Sequence, residues 1–475
     1  MVSPGAQPSV FSSLDKILRA RRTGGGGVPR MRIFWVVSVV WLIAQSSALA
    51  GQRQQPSDGV SGVGNAVGLT LQDALDEAVA RNPRLIALRR RFDAMQFRPA
   101  QAFALPPPSF EAQIWHWPIS TLDPRNTNMY MVTVGQALPG RGKRVLRAAV
   151  AEKDAELSLA AIAVEARDVI DEVKRVYADL YLVRREVEVH HATSDLLRQL
   201  ADVSEAKYVA ARGSQRAVLK AVVELSRLHE HLVTLDEREQ LALGRLNSLL
   251  DRSTESPVGS LATPREQVAL APLNELQQRA VGSQPSLIAA RVAIERAEAR
   301  VRMERHERKP DFFVKGGYML MPGRSDAWAV TGGLTWPDAP WSRRGVDARV
   351  AEAEAERTTA RARLEEVKSA IKLAVHESYA KANSAQQRAG LLRTSIVPLT
   401  EQVVAVSRVA YQGDRGEFLS LLDDQRVLLD AQLAFHRALS DLEQARAELE
   451  RAVGVDVGLS STAALESVIG QVNKP

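Results

Sequence analysis

The 475-residue chain contains no cysteine, which excludes disulfides, thiolate metal sites and a lipidated N-terminal Cys. Aromatic residues are only 5% of it, too few for a compact core built from rings. Proline is missing over a long stretch: none lies between Lys143 and Leu243, where Gly213 is the only glycine. Long apolar runs are scarce. The clearest, "IFWVVSVVWLIA" from Ile33 to Ala44, is shorter than the roughly 20 residues a spanning helix needs. A real excess of positive charge is absent too. Residues 1–50 hold six Lys/Arg against Asp15, so they account for nearly all of the net +6. The remainder offers no basic face for nucleic acid.

What is present is Ala, Leu, Glu and Arg, with charged residues at 25%, the composition of long helices or coiled coil. The apolar run and "ALA" at 48–50 read as a signal peptide with an A-x-A cleavage site, preceded by a Gly/Arg-rich extension in which Met31 is a plausible start. The expectation is export, with a mature chain from near Gly51 and a flexible 51–68.

The chain is written twice. "NPRLIALRRR" from Asn82 returns as "QPSLIAARVA" from Gln284, and roughly eleven of forty positions between Leu71 and Phe110 recur 202 residues later. Tyr208, Arg212 and Gly213 recur as Tyr411, Arg415 and Gly416. The expected repeats are residues 69–262 and 271–456, with a tail over 457–475. In each, a short helix (from about Leu71 or Leu273) precedes an N1 proline, Pro83 or Pro285, that opens a longer one. Pro99 should kink the first of these. A β-hairpin follows, about 109–117 with 128–139 and about 311–321 with 326–336. A helical hairpin closes each repeat, about 143–250 and 343–455. The first turns between Ala211 and Ser214, and the second at "YQGDRGEF", Tyr411 to Phe418, with an interruption at Gly390 and Pro398. Leu428, Ala431, Phe435, Ala438, Leu442, Ala445, Leu449 and Ala452 step by three and four as an a/d seam. Leu225, Leu228, Leu232, Leu235, Ala242, Leu246 and Leu249 echo it. Lys143–Val209 is about 100 Å of helix at 1.5 Å per residue, and the shorter returning arm matches it only with the opening helix stacked on its end.

Two hairpins give four strands, which cannot close a barrel alone. Their length is near that of tilted transmembrane strands, and Val314, Tyr318 and Leu320, like Trp328, Val330 and Leu334, alternate with small residues. Pooling strands between subunits, to eight or twelve, would close one. A soluble hairpin packed on helices is the bland alternative.

The order of signal peptide, "LTLQDALDEAVARNPRL", "PGRGKR", "YVAARGSQRAVLKAVVELSRL" and "YQGDRGEFLSLLDDQR" resembles the TolC-like outer-membrane efflux channel family over roughly residues 69–456. "GSQRAVLKAVVELSRL" and "KPDFFVKGGYMLMPG" are most similar to its heavy-metal members. The resemblance implies a mainly α fold with a small β part: a homotrimer whose 12-stranded β-barrel in outer-membrane lipid joins an α-helical barrel crossing the periplasm. It implies as partners a periplasmic adaptor protein and an inner-membrane resistance-nodulation-division pump. One departure stands out. The family has Gly three residues after the tip Tyr, where this chain has Ala211 and Asp414.

No catalytic set emerges, and "GGGG" at 24–27 lacks the Lys-Ser/Thr of a phosphate loop. No enzyme activity, cofactor or metal site is assigned. His190 and His191 should lie level with His229 and His231 across the first hairpin, where solvated coiled-coil positions explain them better than a metal site. Tyr208, Arg212, Gly213, Tyr411, Arg415 and Gly416 are the candidate adaptor-docking tips; the alternative is that Gly permits the turn while Tyr packs under it. Asp423 and Asp424 follow the second tip as candidates for a periplasmic constriction; by resemblance Asp423 matches one of the family's constriction carboxylates and Ser420 replaces the other, whereas a solvated acidic pair is the plain reading. The expected function is a passive exit channel of a tripartite efflux pump for metal ions or small toxic compounds. The alternative is a structural or tethering coiled-coil protein of the envelope.

Overall fold

The computed structural model describes residues 69–455 apart from 117–118, 121–122, 124–125, 264–269 and 414. The leader, residues 51–68, Asp414 and the 457–475 tail lie outside the described residues. The elements are α1 (Leu71–Arg81), α2 (Pro83–Met95), α3 (Arg98–Phe103), β1 (Ser109–Trp115), β2 (Met129–Leu138), α4 (Lys143–Val209), α5 (Gln215–Leu249), α6 (Leu273–Ser283) and α7 (Pro285–His306). They continue as β3 (Asp311–Leu320), β4 (Ala327–Thr335), α8 (Arg343–Leu391), α9 (Val397–Gln412) and α10 (Phe418–Val453), with a π-helical turn over Leu392–Ile396 between α8 and α9.

The local causes are readable. Thr70 caps α1 in a reciprocal box with Asp73, satisfying two otherwise unpaired amides. Pro83 and Pro285 sit in the first turns of α2 and α7, where a missing N–H costs nothing. Pro99 divides α2 from α3 rather than bending one helix, because it falls in the first turn of α3. The interruption expected at Gly390 and Pro398 is the π turn between them, an extra residue inserted into the helix ladder.

Helix α4 packs on both α5 and α10, and α10 packs on α8. The alanine-leucine seam of α10 is buried at Leu428, Ala431, Ala438, Leu442, Ala445, Leu449 and Ala452, and Leu228, Leu235, Ala242, Leu246 and Leu249 are its counterparts on α5. Helix α1 is held on α4 and α5 by a cluster that includes Leu75, Ala78, Val173 and Leu246. A second cluster holds α6 on α8 and α10 through Leu276, Ala280, Ile371 and Leu449. The stacking inferred from arm lengths is present as hydrogen bonds. Asn82 Nδ2 donates to Leu249 O at the end of α5 (3.1 Å), and Gln284 Nε2 donates to Arg451 O near the end of α10 (2.8 Å). Each returning helix therefore abuts the start of an opening helix.

The strands form one antiparallel sheet in the order β1-β2-β3-β4. Register puts Ala112, Val132, Tyr318 and Trp328 in one row and Phe110, Val134, Gly316 and Val330 in the next. That face is apolar yet open: Phe110 is 74% exposed, Trp328 79% and Val330 81%. The opposite face carries Thr133 and the Lys315–Glu111 ion pair at 2.6 Å. Strands β1 and β4 are its edges.

Sheet and helices are joined at one buried point that the sequence did not reveal. Lys143, the first residue of α4, is fully buried, with Nζ 2.9 Å from the Asp311 carboxylate at the start of β3 and 3.2 Å from Glu307. Gly140 N–H donates to the same Asp311 carboxylate at 2.7 Å. A buried ammonium held by two carboxylates fixes where α4 leaves the sheet.

Candidate functional site: the hairpin tips

The two helical hairpins end side by side. In the first, Ala211 N–H donates to Tyr208 O (2.9 Å) and Arg212 N–H to Lys207 O (2.7 Å). With Ala211 at φ 58° this is a Schellman motif, whose left-handed position normally belongs to glycine. Ser214 then caps α5 by accepting from Ala217 N–H. The second tip repeats the longer bond, Arg415 N–H to Ala410 O at 2.9 Å.

The tip glycines have a different task from the one their turns suggest. Positive φ is found at Ala211 and at neither Gly213 nor Gly416. Instead a Cβ on Gly213 would come 3.1 Å from Tyr208 N, and one on Gly416 would come 3.3 Å from Tyr411 N. Both glycines let the outgoing chain lie close on the helix that has just ended.

The two tip tyrosines differ. Tyr411 is buried; its hydroxyl is 2.9 Å from Ser204 Oγ and its ring 5.6 Å from that of Phe418. Lys207 Nζ donates to Tyr411 O at 2.5 Å and lies 4.2 Å from the ring centre. Tyr208 is 46% exposed. Between the tips is a cleft of about 660 Å³, lined among others by Lys207, Arg212, Arg216, Tyr411, Glu417 and Phe418. Arg212 and Arg216 are exposed and form no ion pair among the described residues, so with Lys207 against the single acid Glu417 the cleft is basic around an apolar floor. Lys207 and Arg216 escaped the sequence reading because they do not recur at the repeat spacing.

Asp423 and Asp424 diverge, as neighbours on a helix must. Asp423 is exposed, 3.4 Å from Arg426. Asp424 is half-buried and accepts from the Ser407 hydroxyl on α9. Arg426 also forms a two-bond pair with Glu224 on α5, and that hydrogen bonding, more than burial opposes it, holds the Glu224 carboxyl below the usual range. Of the four histidines in the first hairpin, His190 and His231 come together, with ring centres 5.8 Å apart. No group of three His, Cys, Asp or Glu side chains suited to a metal gathers among the described residues.

Long paired helices ending in bare tips, joined to an edge-open sheet with an apolar face, are the arrangement that the TolC-like resemblance implies. Residues 276–455 match the family described as "Outer membrane efflux protein". It is 23% identical over 391 residues to the cobalt-zinc-cadmium resistance protein CzcC of Cupriavidus metallidurans, covering 81% of this chain and 90% of that one. Its fold matches the solved CusC channel with a TM-score of 0.69 at 14% identity, covering 86% of this chain and 99% of that one. The outer-membrane protein VceC of Vibrio cholerae matches with a TM-score of 0.67 at 17% identity, over 82% and 96% of the two chains.

Proposed function

We propose that the protein is the outer-membrane exit channel of a tripartite efflux pump, working as a homotrimer and conducting metal ions or small toxic compounds passively, without enzymatic activity of its own. The observation that carries this is the sheet. Its apolar face suits lipid, its opposite face with Glu111 and Lys315 suits a watery lumen, and its two edges ask for neighbours. Three copies pairing β4 to β1 would give twelve strands, with the long helices continuing as a barrel through the periplasm. On this reading residues 69–262 and 271–456 are tandem repeats of one ancestral unit, and residues 1–50 address the chain to the envelope. Helix α9 supports the assembly, since Leu399, Val403 and Val406 form an exposed apolar stripe at steps of four and three. The tips then present the basic cleft to a periplasmic adaptor, behind which stands a resistance-nodulation-division pump. The name of the CzcC relative favours divalent metal ions among the possible substrates.

A heat-modifiable trimer from outer-membrane fractions that forms conducting pores in planar bilayers would support the proposal. A monomeric, non-conducting protein at the same membrane would instead mark an envelope tether.

A further inference from the structure

The histidine pair in the first hairpin has a geometry that solvated coiled-coil positions do not require. His190 on α4 is buried, and His231 lies on α5 between the seam residues Leu228 and Leu235. Their ring planes meet at 62° with centres 5.8 Å apart. His190 Nδ1 is 2.8 Å from the main-chain oxygen of Glu186. A carbonyl can only accept, so Nδ1 carries the hydrogen and Nε2 of the neutral ring keeps its lone pair. Metal-binding imidazoles are commonly held this way, one nitrogen anchored to a carbonyl and the other left as ligand. His231 Nδ1 lies 3.6 Å from the Glu230 carboxylate, which leaves its Nε2 available as well. Two imidazoles sharing an ion at a metal–nitrogen distance of about 2.1 Å place their ring centres roughly 5–6 Å apart.

We propose that His190 and His231 form a two-imidazole site for a divalent transition-metal ion, with water completing the coordination. The Glu186 carboxylate does not join, because Arg238 and Arg437 hold its two oxygens at 2.8 Å each. With two protein ligands the site is open and exchanges its ion readily. Cu²⁺ should bind more tightly than Ni²⁺, Co²⁺ or Zn²⁺. A bound ion ties α4 to α5 roughly 30 Å along the helix from the first tip. This inference does not depend on the channel assignment, since it rests on one hairpin of one chain.

The test is Cu²⁺ titration of the detergent-solubilised full-length protein, followed by calorimetry and electron paramagnetic resonance. The wild type should show a spectrum split by two nitrogens. Exposed His231→Gln should remove that splitting and weaken binding at least tenfold, and His190→Gln should do the same. His191→Gln combined with His229→Gln should leave both readouts unchanged. Absence of a two-nitrogen signal in the wild type, or its survival in His231→Gln, overturns the proposal. So does loss of the signal in the His191/His229 double variant alone, which would place the ion on the exposed histidines.

Discussion

Tyr411 Oη lies 2.9 Å from Ser204 Oγ, bonding the second tip to the descending helix of the first hairpin. The same hydroxyl of Ser204 donates to Leu200 O, so it accepts from the tyrosine. Tyr411 therefore packs under its turn, while exposed Tyr208 does not. Tyr411→Ala should lower the local opening free energy of the tips by about 3 kcal/mol, the cost of emptying an aromatic site. Tyr208→Ala should change it little. Hydrogen exchange of the segments around both turns measures this, and equal effects would contradict the asymmetry.

Ala211 sits at φ 58°, where an L-residue with a Cβ costs roughly 1–2 kcal/mol over glycine. Ala211→Gly should therefore strengthen the first tip by about 1 kcal/mol, since the freer unfolded chain offsets part of the gain. Slower amide exchange at Arg212, whose N–H closes the turn on Lys207 O, would report it. Faster exchange would show that Ala211 is unstrained.

Valine at both Gly213 and Gly416 should impair crosslinking to an adaptor more than it lowers trimer yield, the two measured on one preparation. The contacts a side chain would meet are the backbones of Lys207–Tyr208 and Ala410–Tyr411, which cannot swing aside as a flexible side chain can. Normal docking in the double variant would count against the tips as the adaptor surface.

Much of this fold was legible because it rests on periodicity and punctuation. The limits of α4 follow from a proline-free stretch with one glycine, and the α10 seam follows from Ala and Leu steps. The strands were readable from alternation, although the pairing of β2 with β3 joins residues about 180 apart and leaves no local signal. What escaped depends on contacts distant in sequence. Lys143 reads as a surface lysine in "GRGKR" until β3 brings Asp311 to it. The glycines marked both turns correctly, but spacing could not tell close approach at Gly213 from the positive φ at Ala211. Equal recurrence of Tyr208 and Tyr411 likewise concealed their different burial.

Asp171 on α4 is buried with Oδ1 lacking a partner among the described residues, while Oδ2 meets Arg175 at 2.6 Å and Arg451 at 3.8 Å. Burial pushes its carboxyl above the ordinary value, against the pull of both arginines. A folded-state value raised in this way means the folded chain holds the proton more tightly than the unfolded one. The stability it contributes is full below the unfolded value and is lost as pH rises through the folded value. Asp171→Asn should therefore melt at or above the wild type near neutral pH, and the difference should vanish in the acid range. A lower melting temperature near neutrality would show that the arginines need the charge more than burial penalises it.

In the proposed trimer, Asp423 and Asp424 would place six carboxylates around one axis near the periplasmic mouth. Neighbouring charges about 6 Å apart repel by roughly 0.7 kcal/mol in bulk water and about 2.8 kcal/mol at an effective dielectric of 20. Such a ring draws cations, which a scattered acidic surface does not do to the same degree. The two residues should not contribute equally, because Asp424 is half-buried and tied to Ser407 while Asp423 is exposed. Planar bilayers should show cation selectivity and partial block by multivalent cations from the periplasmic side. Asp423→Asn with Asp424→Asn should weaken both without reducing trimer yield, and Asp423→Asn alone should account for most of the change. Unaltered selectivity and block in the double variant would put both carboxylates on the outer surface of the helices and the constriction elsewhere.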